Sequence, residues 1–219
     1  DFIRTKFSGC DLFIVFSLLL LSAFGLNINA AVFGFSGFVN LMWLLVPFYP
    51  FILRRDKAIL QHPELWNQNN ARTRDESSPH YGLDDIWARF GEVEYAENGQ
   101  PHDSKWYPSA DILGIKPFVY DLFRAVEGVE LGGVLITRIP PGKECKPHED
   151  PGWHARRYEK FGVQITSAPG QKFCFEGEEL ETAPGDVFWF DNQYNHWVTN
   201  PTEYERITMI VCIRTDKEQ

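Results

Sequence analysis

The residues best equipped for chemistry in this chain are His148, Asp150 and His196, with Arg206 beyond them. One residue separates His148 from Asp150, His196 follows forty-six residues after Asp150, and Arg206 comes ten residues later. Two imidazoles and one carboxylate on one side of a metal ion leave other coordination positions open. That is the arrangement with which non-haem Fe(II) oxygenases hold a co-substrate and O₂ together. A planar guanidinium grips a carboxylate through two parallel hydrogen bonds, so an arginine just past the distal histidine suits an organic di-acid as co-substrate. In an extended segment, residues i and i+2 project to one side, so His148 and Asp150 can face one ion while Glu149 points away. In a strand starting at Arg206, Thr208, Ile210 and Cys212 share its face and Ile207, Met209, Val211 and Ile213 share the other. Arg206 then points either into a barrel lumen or outward.

These groups need a scaffold that brings distant segments together. Segments 133–139, 161–166, 172–176, 186–190 and 206–213 are short and rich in β-branched or aromatic residues. Pro140-Pro141-Gly142, Ala168 to Gln171, Glu176-Gly177-Glu178 and Pro184-Gly185-Asp186 lie between them as turns. Residues 131–219 are therefore expected to form a mainly β catalytic core, a jelly roll or cupin-like barrel. Residues 54–130 read as a helical and irregular lead-in packing on it. There Asp84-Asp85 can cap a short helix through Ile86, Trp87 and Phe90. Pro117 suits the first turn of a second helix, with Phe118, Leu122, Phe123 and Val126 on one stripe and Gly128 as its end.

The chain has 219 residues, enough for one sizeable core, and a formal net charge of −9. Residues 1–57 hold five cations against three acids, a balance of +2, so the remainder carries −11. Such an acidic part excludes nucleic acid as the main partner, because phosphate binding needs clustered Lys and Arg. The partner expected instead is a small-molecule or peptidyl substrate. Cys10, Cys145, Cys174 and Cys212 show no metal-finger spacing and suggest a reducing compartment, with Cys174 and Cys212 read as small buried hydrophobes. Residues 1–53 form an apolar N-terminal segment with charge-free runs at 12–26 and 30–53. Three readings stay open for it: a membrane hairpin through residues 12–53 with both ends cytoplasmic, a signal peptide, or an extension foreign to the working enzyme, since the chain opens on Asp1. The expected location is cytoplasmic, or membrane-associated with the catalytic part on the cytoplasmic side. The oligomeric state is left open.

Two stretches carry a family resemblance. Residues 185–200, GDVFWFDNQYNHWVTN, followed by RITMIV at 206–211, resemble the C-terminal half of the aspartyl/asparaginyl β-hydroxylase family of Fe(II)/2-oxoglutarate oxygenases. Upstream, TRIPPG at 137–142 and KPH at 146–148 are similar to that family's strand, turn and first metal histidine. The resemblance implies a double-stranded β-helix and Fe(II) held by His148 and His196. It also implies that Arg206 pairs with the distal carboxylate of 2-oxoglutarate, that Thr137 assists it, and that O₂ is the second co-substrate. The implied reaction couples oxidative decarboxylation of 2-oxoglutarate to hydroxylation of an unactivated C–H, in an aspartyl/asparaginyl or small amino-acid-like substrate. There are departures. Members typified by the animal enzymes have glycine where Asp150 stands, whereas Asp150 restores the His-x-Asp…His triad of the wider superfamily. The family's Arg-x-His pair, which contacts the metal-chelating end of the co-substrate, has no counterpart in register. His154, Arg156 and Arg157 lie nearby as candidates for a lid or substrate contact, and His80 for the wall of the substrate pocket. Two rival readings keep the barrel. One is a cupin-like metal enzyme, an isomerase or 2-oxoglutarate-independent dioxygenase, which has no need of Arg206. The other is a non-catalytic ligand-binding barrel.

Overall fold

The computed structural model describes residues 6–7, 58–91, 103–150 and 152–215; the apolar runs within 1–53, Cys10 and His102 lie outside the described residues. Eight strands are divided equally between two antiparallel sheets. They are β4 (Glu130–Ile139), β5 (Glu144–His148), β6 (Glu159–Thr166), β7 (Lys172–Phe175), β8 (Glu178–Glu181), β9 (Val187–Phe190), β10 (His196–Thr199) and β11 (Arg206–Arg214). One sheet contains β9-β6-β11-β4 and the other is β5-β10-β7-β8. This is a mainly β, double-stranded β-helix-like fold of the cupin type. Three more strands extend the first sheet: β1 (Lys6–Phe7) beside β9, and β2 (Asp84–Phe90) with β3 (Lys105–Trp106) beyond β4.

The pleat decides what each face of the large sheet meets. Ile207, Met209, Val211 and Ile213 of β11 are fully buried in a core shared with Val119 and Leu122 of the helix Lys116–Ala125, here α1. Thr208, Ile210 and Cys212 alternate with them and line a cavity between the sheets. Gly162 of β6 sits directly opposite Phe188 of β9 in the same sheet and leaves room for its ring, with which a Cβ there would collide. The turn before β11 is fixed by buried Asn200, whose Nδ2 donates to the carbonyls of Ile139, Pro140 and Tyr204 at 2.8–3.1 Å.

Two expectations need correction. Asp84-Asp85 does not cap a helix: Asp84–Phe90 is a strand paired with β4. Both of its faces are covered, so its apolar residues show no alternation and mimic a helical stripe. Helix α1 has Pro117 in its first turn as expected, but the left-handed residue after it is Glu127, with φ 57°. Gly128 serves packing instead, since a Cβ there would strike Phe123 and Ile213. Cys145, Cys174 and Cys212 are buried free thiols. Among the described residues, no helix is long and apolar enough to cross a membrane.

Candidate metal centre and its cavity

His148 ends β5 and His196 begins β10, and the antiparallel ladder sets the two directly opposite each other. Their rings lie 4.3 Å apart between centroids. Asp150, two residues past His148, is tethered by its backbone N–H to the carbonyl of Asn192 at 3.0 Å, in the turn that leads to His196. Its Oδ1 is 3.9 Å from His148 Nε2 and its Oδ2 is 3.7 Å from His196 Nε2. The three side chains thus offer ligand atoms all within 4.8 Å of one another, a fit to one divalent cation.

The backbone prepares both imidazoles in the same way. His148 Nδ1 donates to the carbonyl of Lys146 at 2.7 Å, and His196 Nδ1 donates to that of Tyr194 at 2.8 Å. A carbonyl only accepts, so the proton sits on Nδ1 and the lone pair of each Nε2 is turned towards Asp150. Phe173 stacks parallel to His196, with Phe175 and Phe190 around it. Burial in this aromatic wall pushes the His196 imidazole down to about 4, against the opposing pull of Asp150. Burial also lowers His148. Asp150 is held below the usual carboxylate range: burial opposes its charge, but Lys160 and His196 outweigh that. At neutral pH the set therefore consists of two neutral imidazoles and a carboxylate, the protonation states a metal requires.

The cavity has a volume of about 240 Å³. Its apolar wall includes Trp87, Phe90, Leu135, Phe173 and Ile210, and its polar groups include Arg72, His80, Thr137, His154 and Lys160. Arg206 lies on the same face of β11 as Thr208 and Ile210, one pleat beyond them. It is 1% exposed, and none of its three guanidinium nitrogens has a hydrogen-bond partner among the described residues. Desolvation lowers its pKa to about 10, which leaves it cationic at neutral pH. A buried, uncompensated cation is expensive, so this one is built for an anion.

The other predicted residues divide. His80 lines the cavity, edge-on to His148 at 5.2 Å between centroids, with Nδ1 3.3 Å from Cys145 Sγ. Burial, with Arg72 next, drives its pKa well down. His154 also lines the cavity. Arg156 and Arg157 do not: they border a separate depression with Glu130 and Arg214, and Arg157 forms a two-point pair with Glu130. Both follow in a short helix, Gly152–Arg157, whose turn carries them away from the metal centre.

Two cavity residues, Arg72 and Lys160, were missed by sequence reasoning. Fully buried Asp85 accepts from Arg72 Nε at 2.6 Å and Nη2 at 3.0 Å, and from Thr137 Oγ1 at 2.8 Å. Thr137 also accepts from Arg72 Nη2 at 2.9 Å, so it is already engaged in this cluster. Burial opposes the charge on Arg72, but Asp85 more than offsets it. Lys160 forms an ion pair with Asp150. Replacing Asp85 with alanine leaves Arg72 half-buried without its counter-ion, and is expected to destabilise the protein by about 3 kcal/mol, read as a fall in the urea midpoint. No sequence signal marks these residues, since their partners are far apart along the chain.

The model of the aspartyl/asparaginyl beta-hydroxylase family matches residues 57–215. No curated protein matches the chain. Solved structures similar to it include an oxidoreductase of the 2OG-Fe(II) oxygenase family from Burkholderia pseudomallei, 14% identical, with TM-score 0.46 over 62% of this chain and 69% of that one. A Pseudomonas putida prolyl-4-hydroxylase is 16% identical, with TM-score 0.44 over 77% and 88%. The viral collagen prolyl hydroxylase of Paramecium bursaria Chlorella virus-1, in complex with 2OG, is 15% identical, with TM-score 0.43 over 74% and 90%. Matched over most of its length by the family model, the chain belongs to the aspartyl/asparaginyl β-hydroxylase family of 2-oxoglutarate-dependent hydroxylases.

Proposed function

We propose that the protein is a dioxygenase that uses Fe(II), 2-oxoglutarate and O₂ to hydroxylate an unactivated C–H bond. The observation that carries this reading is the unpartnered guanidinium of Arg206, buried on the cavity-facing side of the same sheet that frames the His148, Asp150 and His196 cluster. A cupin-like isomerase or a 2-oxoglutarate-independent dioxygenase gives that guanidinium nothing to bind, and a non-catalytic barrel has no use for two imidazoles held in metal-ready tautomers. The residues present fit iron: His148, Asp150 and His196 would hold it on one side. Iron so held supplies the oxidative decarboxylation of the 2-oxo acid and the oxidising power for C–H hydroxylation.

The chain's own residues contribute position and environment. Arg206 takes the distal carboxylate by a two-point contact and so fixes the length and direction of the co-substrate. The carbonyls of Lys146 and Tyr194 keep both Nε2 atoms aimed inward, and Phe173, Phe175 and Phe190 exclude water from the His196 side. For the substrate we propose an aspartyl or asparaginyl side chain or a small amino-acid-like molecule, in keeping with the family. The buried indole Nε1 of Trp87, which lines the cavity and has no acceptor among the described residues, offers one hydrogen bond to a carbonyl or carboxylate of such a substrate. The test is succinate formation by purified protein supplied with Fe(II) and 2-oxoglutarate in air. Succinate that disappears on chelating the iron is expected; none above a heat-treated control would reject the assignment.

A further inference from the structure

Two cations line the cavity, Arg72 and Lys160, a third, Arg206, is buried one pleat beyond its lining, and the three are not equivalent. Arg72 is tied to Asp85 by two hydrogen bonds. Arg206 stands at the far end of the β11 face. Lys160, opposite Cys212 and Phe190 in the sheet, lies beside the metal cluster, its ammonium bonded to Asp150 Oδ2 and its side chain 16% exposed. That same oxygen is 3.7 Å from His196 Nε2, so an ion gripped by the three ligands must sit close to the ammonium. Two cations sharing one carboxylate at this range repel each other strongly in a desolvated cavity. An anion that touches both relieves the repulsion. The co-substrate brings such an anion at its metal-chelating end.

We propose that Lys160 receives the metal-chelating carboxylate of the 2-oxo acid, and that it sets metal affinity and co-substrate affinity against each other. The proposal rests on the reading of the site as a 2-oxoglutarate oxygenase. Lys160 disfavours the ion while it is alone and favours the co-substrate once the ion is present. A lysine serving only to neutralise buried Asp150 would share the first effect but not the second.

The experiment measures, by titration calorimetry on the full chain, Mn²⁺ binding and then binding of 2-oxoglutarate or pyruvate to the Mn²⁺-loaded protein. Pyruvate keeps the chelating end and lacks the distal carboxylate. In Lys160→Met the Kd for Mn²⁺ is expected to fall about tenfold, while the Kd values for both 2-oxo acids rise about tenfold or more, the size of a lost charge-assisted hydrogen bond. Lys160→Gln, which keeps a hydrogen bond to Asp150 without the charge, should move both constants the same way. Lys160→Arg should return both to within about threefold of the parent, because the charge that sets them is retained. Tighter Mn²⁺ with unchanged 2-oxo acid affinity would overturn the proposal, as would a loss of both affinities, which marks a structural prop. Parent protein that binds Mn²⁺ but neither acid would reject the oxygenase reading itself and this proposal with it.

Discussion

Replacing Arg206 with methionine is expected to abolish productive use of 2-oxoglutarate while making the protein more stable. The guanidinium is buried, keeps its charge and has no partner among the described residues, so desolvation is uncompensated until an anion arrives. A methionine of similar length fills the same volume without that penalty. Exchanging buried charge for packed apolar atoms raises stability by about 2 kcal/mol, or roughly 5 °C in Tm for a domain of this size. The lost bidentate contact should raise the Kd for 2-oxoglutarate by about 100-fold or more, leaving Mn²⁺ binding and pyruvate binding near the parent values. Thermal melts with and without 2-oxoglutarate check both halves together. The parent should gain stability on adding Mn²⁺ with the acid, and Arg206→Met should start higher and gain from Mn²⁺ alone. If the variant melts lower and still binds the acid, Arg206 is an ordinary core residue and Arg72 becomes the candidate anion anchor.

His196→Ala carries the second large effect. The ring supplies one of three ligands and also part of the aromatic wall with Phe173, Phe175 and Phe190. Two residual ligands, His148 and Asp150, lie next to the Lys160 ammonium, which is poor company for a dication. Succinate formation should fall below about 1% of the parent, and Mn²⁺ affinity by about 100-fold or more, on the scale by which even outer-shell partners of a metal site matter. Loss of the ring also opens a void, so stability should drop by about 2 kcal/mol. Parent-like Mn²⁺ affinity in this variant would remove the metal centre from the His148, Asp150 and His196 cluster. His80 and Cys145 would then remain as the other set in reach of His148.

The triad was legible because its members are polar residues placed beside apolar, strand-like runs, and because the i, i+2 geometry of His148 and Asp150 survives at a strand end. The faces of β11 followed from the period of two alone, which sets Arg206, Thr208, Ile210 and Cys212 on one side and Ile207, Met209, Val211 and Ile213 on the other. Strand β5 was not legible, because Lys143 to His148 is polar and contains Pro147. Strands β8 and β10 are only four residues each, and Glu178 to Glu181 reads as solvated turn. Strand β2 misled because, covered on both faces, it lacks a period of two. The Arg72, Asp85 and Thr137 cluster was beyond reach for a different reason. Its hydrogen bonds join residues 13, 52 and 65 positions apart, and such pairings exist only after the sheet has formed. Arg156 and Arg157 looked close to the site in sequence, but one turn of helix was enough to carry them outside.

The pairing of β10 with β5 bears on what a bound metal ion would do for stability. His148 and His196 meet through the pairing of β10 with β5, and Asp150 is held by the turn that precedes β10. The complete ligand set is thus assembled by two strands whose histidines are 48 positions apart in the chain. A divalent ion held by the three would bridge β5 and β10 and add its binding free energy to that pairing. Added Mn²⁺ is then expected to raise the melting temperature of the parent, as a clasp between strands distant in sequence.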